Sequence, residues 1–246
     1  MEANGSKLFI AVVYGLISGF AGLLGSLFCF FRPFPKRIQG LIMGFGSGAL
    51  IASVSFGLME DGFRHGGIDS TAFGLAVGAG AYYLFHLLFL RHSAPKGLHF
   101  RNPAEQSGVK ILLASILDSL PEQFAIGVGV KAGSSLGFLV MLGAVIAGIP
   151  EAMAGTSKLG ESWGTGRIIL FWLALGVIST GVTIVGFLAA GVVPGDFLGF
   201  LLAFAAGSLL AMLSDTMLPE ALKSGGNIIS LATVAGFMMS YIVSRL

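Results

Sequence analysis

The segment "ILDSLPEQFAIG", residues 116–127, places an Asp, a Pro and a Glu inside an otherwise apolar stretch of the chain. That stretch covers about residues 109–130, and a helix of about 20 residues is long enough to cross a hydrocarbon core ~30 Å thick. A carboxylate in the middle of a bilayer costs at least ~2.5 kcal/mol, so it normally faces a partner or a water-filled path. The segment therefore predicts a membrane-spanning helix that carries a polar function.

The composition indicates a membrane protein throughout. The chain has 246 residues, of which 55% are hydrophobic and 11% are charged, whereas soluble domains carry about 25% charged residues. Apolar runs recur over the whole length, so we expect a single transmembrane domain over residues 1–246. The single Cys29 excludes an intrachain disulfide and a CxxC metal site. The sequence has no nucleotide-binding or haem motif and no paired nucleophile and base, so we expect no enzyme, no resident cofactor and no nucleic-acid partner.

Charged and Pro- or Gly-rich breaks divide the chain into eight predicted spans, so the predicted fold class is an all-α integral membrane protein. We keep the first run as a span, because its flank "MEANGSK" is weakly charged and no clear cleavage site ends the run. The longest break, "RHSAPKGLHFRNPAEQSG" at 91–108, is predicted to be a loop. The predicted spans cover about residues 8–31, 39–59, 70–90, 109–130, 135–156, 168–193, 196–218 and 228–244.

The placement of Lys and Arg predicts the orientation of these spans, because loops rich in such residues stay on the cytoplasmic side. Ten of them lie in the odd-numbered loops, and four lie in the even-numbered loops and the termini. Both termini are therefore predicted to lie outside. The ten are Arg32, Lys36, Arg37, Arg91, Lys96, Arg101, Lys110, Lys158, Arg167 and Lys223, and the four are Lys7, Arg64, Lys131 and Arg245.

An internal repeat lies inside this pattern. The segment "GFGSGALIASVSFGLMED" from Gly44 aligns without gaps on "AFAAGSLLAMLSDTMLPE" from Ala203. On the predicted orientation the second span runs outward and the seventh runs inward, so the repeat is inverted, a plan that recurs in secondary transporters. The predicted architecture is an inverted 3+2+3 repeat with spans four and five as a central pair. Chance similarity between two helices rich in Gly, Ala and Leu is the alternative.

Spans four and five each present a face suited to a cation site. In span four, five polar residues recur at helical spacing and form one continuous stripe. In span five, Glu151 shares a face with small residues, which let neighbouring helices approach closely. Glu151 can therefore face the carboxylates of span four at a similar depth. The stripe consists of Ser115, Asp118, Ser119, Glu122 and Gln123, and the small residues are Ala144, Ala147, Gly148, Ala152 and Gly155.

Three Pro-Glu pairs occur in the predicted spans, "LPEQ" at 120–123, "IPEA" at 149–152 and "LPEA" at 218–221. Each Pro removes an amide donor and leaves the carbonyl four residues earlier without its usual partner, at Leu117, Ile146 and Asp215. Such a carbonyl in a polar cavity can hydrate or coordinate a cation. A neutral hydrogen-bonded cluster that only ties helices together is the alternative interpretation of the buried acids.

These features together resemble the ZIP (Zrt- and Irt-like) family of divalent-metal transporters. That family has eight spans, both ends outside, and metal ligands on spans four and five in the motifs His-Asn-x-Pro-Glu-Gly and His/Gln-Asp/Asn-x-Pro-Glu-Gly. The corresponding stretches here are "DSLPEQ" and "AGIPEA". The family pattern Ser-His-Glu-x-x-Pro-Glu in the seventh span corresponds to "SDTMLPE". The resemblance covers all eight predicted spans.

The resemblance implies a set of metal-binding residues. Glu122 and Glu151 correspond to the bridging glutamates, and Asp118 stands where the first motif has His. Because no His remains at a motif position, the implied site is built from oxygen, which suits Mn²⁺, Mg²⁺ or Ca²⁺, whereas imidazole favours Zn²⁺ and Fe²⁺. The implied ligands are Asp118, Glu122, Glu151, Ser119 and Asp215, and the chain departs from the motifs at Ser119, Ala147, Gly148, Asp215 and Thr216. His86 in span three is interpreted as a packed residue.

The resulting prediction is a multi-pass transporter of divalent cations such as Zn²⁺, Mn²⁺ or Fe²⁺ in a cell membrane of the bacterial inner-membrane type. Its expected partners are the metal ion as substrate and the lipid bilayer. The prediction is compatible with a homodimer. Two alternatives remain open. One is a non-transporting ZIP-like metal sensor or relic, and the other is a proton-coupled carrier of another small solute.

Overall fold

A computed structural model describes residues 2–31, 35–92, 103–160 and 163–245. These residues are helical almost throughout and contain no strand. Two π-helices, Val54–Leu58 and Leu213–Met217, and a 3₁₀ turn, Gly226–Ile228, interrupt the α-helices. The α-helices of the described ranges are α1 (Glu2–Gly19), α2 (Ala21–Phe31), α3 (Lys36–Ser53), α4 (Met59–His92), α5 (Pro103–Ala132), α6 (Ser134–Leu159), α7 (Thr165–Val192), α8 (Gly195–Met212), α9 (Leu218–Gly225) and α10 (Ile229–Arg245).

Several of these helices are apolar enough to lie in a bilayer. Five segments of the described chain are long and apolar enough to cross a membrane: Gly5–Phe31, Lys36–Leu88, Ser135–Leu159, Thr165–Val192 and Gly195–Arg245. The prediction of an all-α membrane protein is confirmed at this level, whereas the eight spans and their orientation stay predictions. Two of the segments have 53 and 51 residues, about twice what one crossing needs. α5, which carries the acidic segment, is not among the five.

The predicted loop at 91–108 is wrong at both ends. α4 extends to His92, and α5 already begins at Pro103. Pro is favoured in the first turn of a helix, because its φ is already helical and the amide hydrogen that it lacks has no partner there. Residues 93–102 of the predicted loop lie outside the described residues.

The internal repeat is visible in the backbone. The gapless alignment of the two segments places Val54–Leu58 on Leu213–Met217, and both are π-helices. The same alignment places Gly67 on Gly226, whose φ angles are 68° and 73°. Residues other than glycine rarely adopt this conformation, so glycine allows the chain to leave the helix at both points. The two segments therefore share irregularities at equivalent positions.

The repeated helices also contact each other at both ends. Gly40 near the start of α3 lies against Gly225 at the end of α9, and Gly199 near the start of α8 lies against Gly66 of α4. A β-carbon at Gly40 or Gly199 would collide with the partner backbone, so these close approaches depend on small residues. The start of each repeat meets the end of the other, and the two therefore run antiparallel.

The helices divide into two groups. In the acidic group, α5 packs against α1, α6 and α7, and α2 packs against α6. In the repeat group, α3 packs against α9 and α10, and α4 packs against α8. α3 and α6 join the groups, with Gly46 against Ala147 and Leu50 against Gly143. The acids of α5 and α6 consequently lie beside the boundary between the two groups.

Candidate cation site

The polar stripe of α5 and the small-residue face of α6 line a buried cavity, which we call the carboxylate pocket. Its volume is about 40 Å³, enough for a few water molecules or one ion with part of its water shell. The pocket is lined by Ser18, Gly19, Gly22, Ser115, Asp118, Ser119, Glu122, Gln123, Ala144, Gly148, Glu151, Trp172, Leu175 and Ser179. All of these residues belong to the acidic group of helices.

Three acids line the pocket, Asp118, Glu122 and Glu151. Asp118 is 4% exposed, and the hydroxyl of Ser115 donates to Glu151 Oε1 at 2.5 Å, which links α5 directly to α6. Glu122 is near enough to Asp118 and Glu151 for the carboxylates to repel one another. A positive ion placed in the pocket would relieve this repulsion.

Hydroxyl groups on α5 add neutral oxygens beside the acids. Ser119 is half-buried in the pocket wall, and its Oγ donates to the carbonyl of Ile116 at 3.1 Å. A serine hydroxyl has acceptor lone pairs in addition to its one hydrogen. The Ser119 oxygen can therefore still contact water or a cation while its own hydrogen is engaged.

A second cavity, which we call the vestibule, adjoins the pocket and has a volume of about 350 Å³. Asp118 and Glu151 line both cavities. The far side of the vestibule includes the exposed residues Asp215, Pro219 and Lys223, so it reaches the protein surface. Its lining consists of Met43, Ala114, Asp118, Glu151, Asp215, Thr216, Met217, Pro219, Glu220 and Lys223.

The structure divides the five predicted ligands between these cavities. Asp118, Ser119, Glu122 and Glu151 line the carboxylate pocket. Asp215 lines only the vestibule, and its side chain is exposed. It lies in the π-helix Leu213–Met217 of the repeat group, whereas the pocket is formed by the other group of helices. Asp215 therefore shares the vestibule with Asp118 and Glu151 but does not line the pocket that holds Ser119 and Glu122.

The acids of the pocket do not form a compact ligand cluster. In the described ranges, no three His, Cys, Asp or Glu side chains come close enough to hold a metal ion together. An ion in the pocket would therefore contact few carboxylates at once and would complete its coordination with hydroxyl, carbonyl or water oxygens.

Gln123 joins three helices at the pocket wall, a role that its place on the polar stripe did not indicate. Its side chain is 2% exposed. Nε2 donates to the Ser18 hydroxyl on α1 at 3.0 Å, and Oε1 accepts from the Thr183 hydroxyl on α7 at 2.7 Å. Ser18 in turn donates to the carbonyl of Tyr14 at 2.7 Å. One buried amide thus positions α5 against both α1 and α7.

We expect Gln123→Leu to lower stability, because it removes two buried hydrogen bonds while conserving approximate size. The expected loss is about 2 kcal/mol, which corresponds to a melting temperature about 4–8 °C lower for a chain of this length. Thermal unfolding in detergent measures the change. Ser214→Ala is the matched control, because that exposed hydroxyl bonds only within its own helix in the described structure, to Leu210 at 2.9 Å. A Gln123→Leu protein as stable as the wild type would contradict the prediction.

A tyrosine of the repeat group also reaches the acids. The hydroxyl of Tyr82 on α4 donates to Asp118 Oδ1 at 2.9 Å, and the residue is 4% exposed. His86 stacks on the Tyr82 ring with centroids 5.7 Å apart, which agrees with its interpretation as a packed residue. Tyr82 and Asp118 lie on different helices, so no spacing in the sequence connects them.

Gly148 lines the carboxylate pocket, and a larger side chain that carries a metal-binding atom has room there. A β-carbon there would meet only Ala21, at 3.9 Å, which is ordinary van der Waals contact. We expect Gly148→Asn to place an amide oxygen in the pocket and to tighten Mn²⁺ binding about tenfold, because affinity rises with ligand number. Equilibrium binding to purified protein measures this.

Gly148→Ala controls for added volume in that experiment. Gly181→Asn controls for the added amide, because Gly181 is exposed, a β-carbon there would meet nothing within 4 Å, and Gly181 lines neither cavity. Equal affinities for the Asn and Ala variants at position 148 would show that Gly148 does not face the bound ion.

Comparison with known proteins gives a relative but no family assignment. No family model matches the chain. The chain is 26% identical over 217 residues to a protein of Arabidopsis thaliana named "Putative zinc transporter". The match covers 86% of this chain, and the chain spans 35% of the length of that curated relative. Over most of its length, therefore, the chain is similar to a much longer protein whose name describes a zinc transporter.

Proposed function

We propose that the chain is a ZIP-like transporter that moves divalent metal cations across a membrane through the carboxylate pocket. The observation that carries this proposal is the shared lining of the two cavities: Asp118 and Glu151 line both the buried pocket and the vestibule that reaches the surface. A cation can therefore pass from the interior to the surface without leaving contact with a carboxylate. The similarity to the protein named as a zinc transporter supports the same function.

The chemistry of the pocket suits a hard divalent cation that binds and then leaves. Carboxylates and serine hydroxyls provide oxygen ligands, and no His among the described residues lines either cavity, which favours Mn²⁺ over Zn²⁺ relative to an imidazole site. The repulsion among Asp118, Glu122 and Glu151 makes the empty pocket unfavourable for three ionised acids.

The proposal includes eight membrane spans arranged as an inverted 3+2+3 repeat. Support comes from the antiparallel course of the two repeats and from their matching π-helices. On the orientation that the Lys and Arg residues predict, Ala114 lies toward the cytoplasmic end of its span and Lys223 lies in a cytoplasmic loop. The vestibule then opens to the cytoplasm, and the structure corresponds to an inward-open state.

A non-transporting metal sensor is the second candidate. The absence of a compact three-acid cluster in the described residues favours it, because a transporter of the ZIP motif type is expected to carry more ligands at positions such as Ala147 and Gly148. A sensor needs saturable binding but no continuous route across the bilayer.

Uptake into proteoliposomes separates the candidates. Purified protein is reconstituted in vesicles that contain a metal-sensitive dye, and Mn²⁺, Zn²⁺, Fe²⁺, Co²⁺ and Cd²⁺ are added in turn, with protein-free vesicles as control. We expect saturable flux of at least one of these ions. Saturable binding without flux of any ion would support the sensor, and flux of another solute that follows pH but ignores metals would support a proton-coupled carrier.

A further inference from the structure

The hydrogen bond from Tyr82 to Asp118 links the two groups of helices at the candidate cation site. Tyr82 belongs to α4, which packs mainly against α8, and Asp118 belongs to α5, which packs mainly against α6 and α7. The Oη–Oδ1 distance is 2.9 Å, and both residues are 4% exposed. A polar contact between the groups is therefore made directly by one of the acids that line both cavities.

Mostly apolar and aromatic side chains surround the ring of Tyr82. The ring lies in an apolar groove together with Phe85, Leu117 and Phe124, and its face stacks on His86. A buried hydroxyl in apolar surroundings requires a hydrogen-bond partner. The carboxyl group of Asp118 is such a partner, because its Oδ1 accepts from the Tyr82 hydroxyl at 2.9 Å.

The same hydrogen bond restricts Asp118. A carboxylate is free to rotate about its Cβ–Cγ bond unless its oxygens are held by neighbours. With Oδ1 bonded to Tyr82, one oxygen of the Asp118 carboxyl group is held in place before an ion arrives. Groups that orient a metal ligand in this way commonly change metal affinity by about 10–100-fold when they are removed.

We propose that Tyr82 is a positioning residue that holds Asp118 in the orientation in which it receives a divalent cation. This inference rests on the proposed function, because it assumes that the cation contacts Asp118. Tyr82 does not contact the ion itself. It raises the affinity of the pocket through Asp118 and thereby makes the affinity depend on how α4 lies against α5.

Mn²⁺ binding to purified protein in detergent tests this inference, by competition with a metal-sensitive dye. We expect Tyr82→Phe, which removes only the hydroxyl, to weaken Mn²⁺ binding about tenfold. The matched control is Tyr83→Phe, whose side chain is 60% exposed and which should bind as the wild type does. In an Asp118→Asn background, Tyr82→Phe should change the affinity less than about twofold, because its effect acts through the carboxylate.

The outcomes distinguish this inference from the proposed function. Wild-type protein that binds none of Mn²⁺, Zn²⁺, Fe²⁺, Co²⁺ and Cd²⁺ would overturn both. Mn²⁺ binding by Tyr82→Phe that equals the wild type would overturn only the role of Tyr82, as would a full tenfold loss in the Asp118→Asn background.

A second measurement applies if Tyr82→Phe does not fold. Infrared difference spectra of wild-type protein with ring-labelled tyrosine, taken with and without Mn²⁺, report on the tyrosine C–O band. We expect Mn²⁺ to shift this band. The ion attracts electron density from the Asp118 carboxylate, and this weakens the hydrogen bond that the carboxylate accepts from Tyr82. The shift should persist in Tyr83→Phe. An unchanged band at saturating Mn²⁺ would overturn the inference.

Discussion

Glu122→Gln is expected to reduce divalent-metal uptake in proteoliposomes by roughly 100-fold or more. Glu122 lines the buried pocket beside Asp118 and Glu151, and the amide of Gln keeps the size of the side chain but removes its charge. Removing one partner from a buried charge pair costs about 3–5 kcal/mol, and each 1.4 kcal/mol is a factor of about ten. The ion therefore loses most of the attraction that offsets the removal of its water shell.

Asp69→Asn is the matched control for this experiment. Asp69 is exposed on α4 and lines neither cavity, so the same loss of one carboxylate charge should leave uptake within about twofold of the wild type. Size-exclusion profiles of both variants confirm that they are folded. Equal losses in the two variants would mean that net charge, and not the pocket, governs uptake.

Asp118→His is expected to raise the preference for Zn²⁺ over Mn²⁺ by about tenfold or more, because an imidazole nitrogen favours Zn²⁺ whereas a carboxylate oxygen suits Mn²⁺. Asp118 lines both cavities, so its replacement changes the ligand chemistry at the point where they meet. Competition between Zn²⁺ and Mn²⁺ for the purified protein at fixed pH measures the ratio.

Asp215→His provides the comparison for that prediction. It introduces the same ring at an exposed position that lines only the vestibule, so its effect on the Zn²⁺/Mn²⁺ ratio should be much smaller. An unchanged or reversed ratio in folded Asp118→His protein would remove Asp118 from the ligands of the ion. A larger shift at position 215 than at position 118 would place the selective site in the vestibule.

The fold class and the acidic faces were predictable from local pattern. Apolar runs of spanning length indicated helices, and the described chain is helical. Helical spacing placed Asp118, Ser119 and Glu122 on one stripe, and these residues line one pocket with Glu151. The two segments of the gapless repeat both contain a π-helix at the same position, which the sequence alignment did not predict. Each of these properties depends on residues within a few turns of one helix, where geometry follows directly from the sequence.

Contacts between helices were decided only by the tertiary structure. Tyr82 bonds to Asp118, Gln123 bonds to Ser18 and Thr183, and Asp215 stays outside the carboxylate pocket. The sequence positions of these residues do not indicate such contacts, because the rotation of each helix and its choice of neighbour are set by packing. Here that packing uses glycines such as Gly40 and Gly199, whose lack of a β-carbon lets two backbones touch. Local spacing defines the face of a helix, and the close approach of helices defines what that face meets.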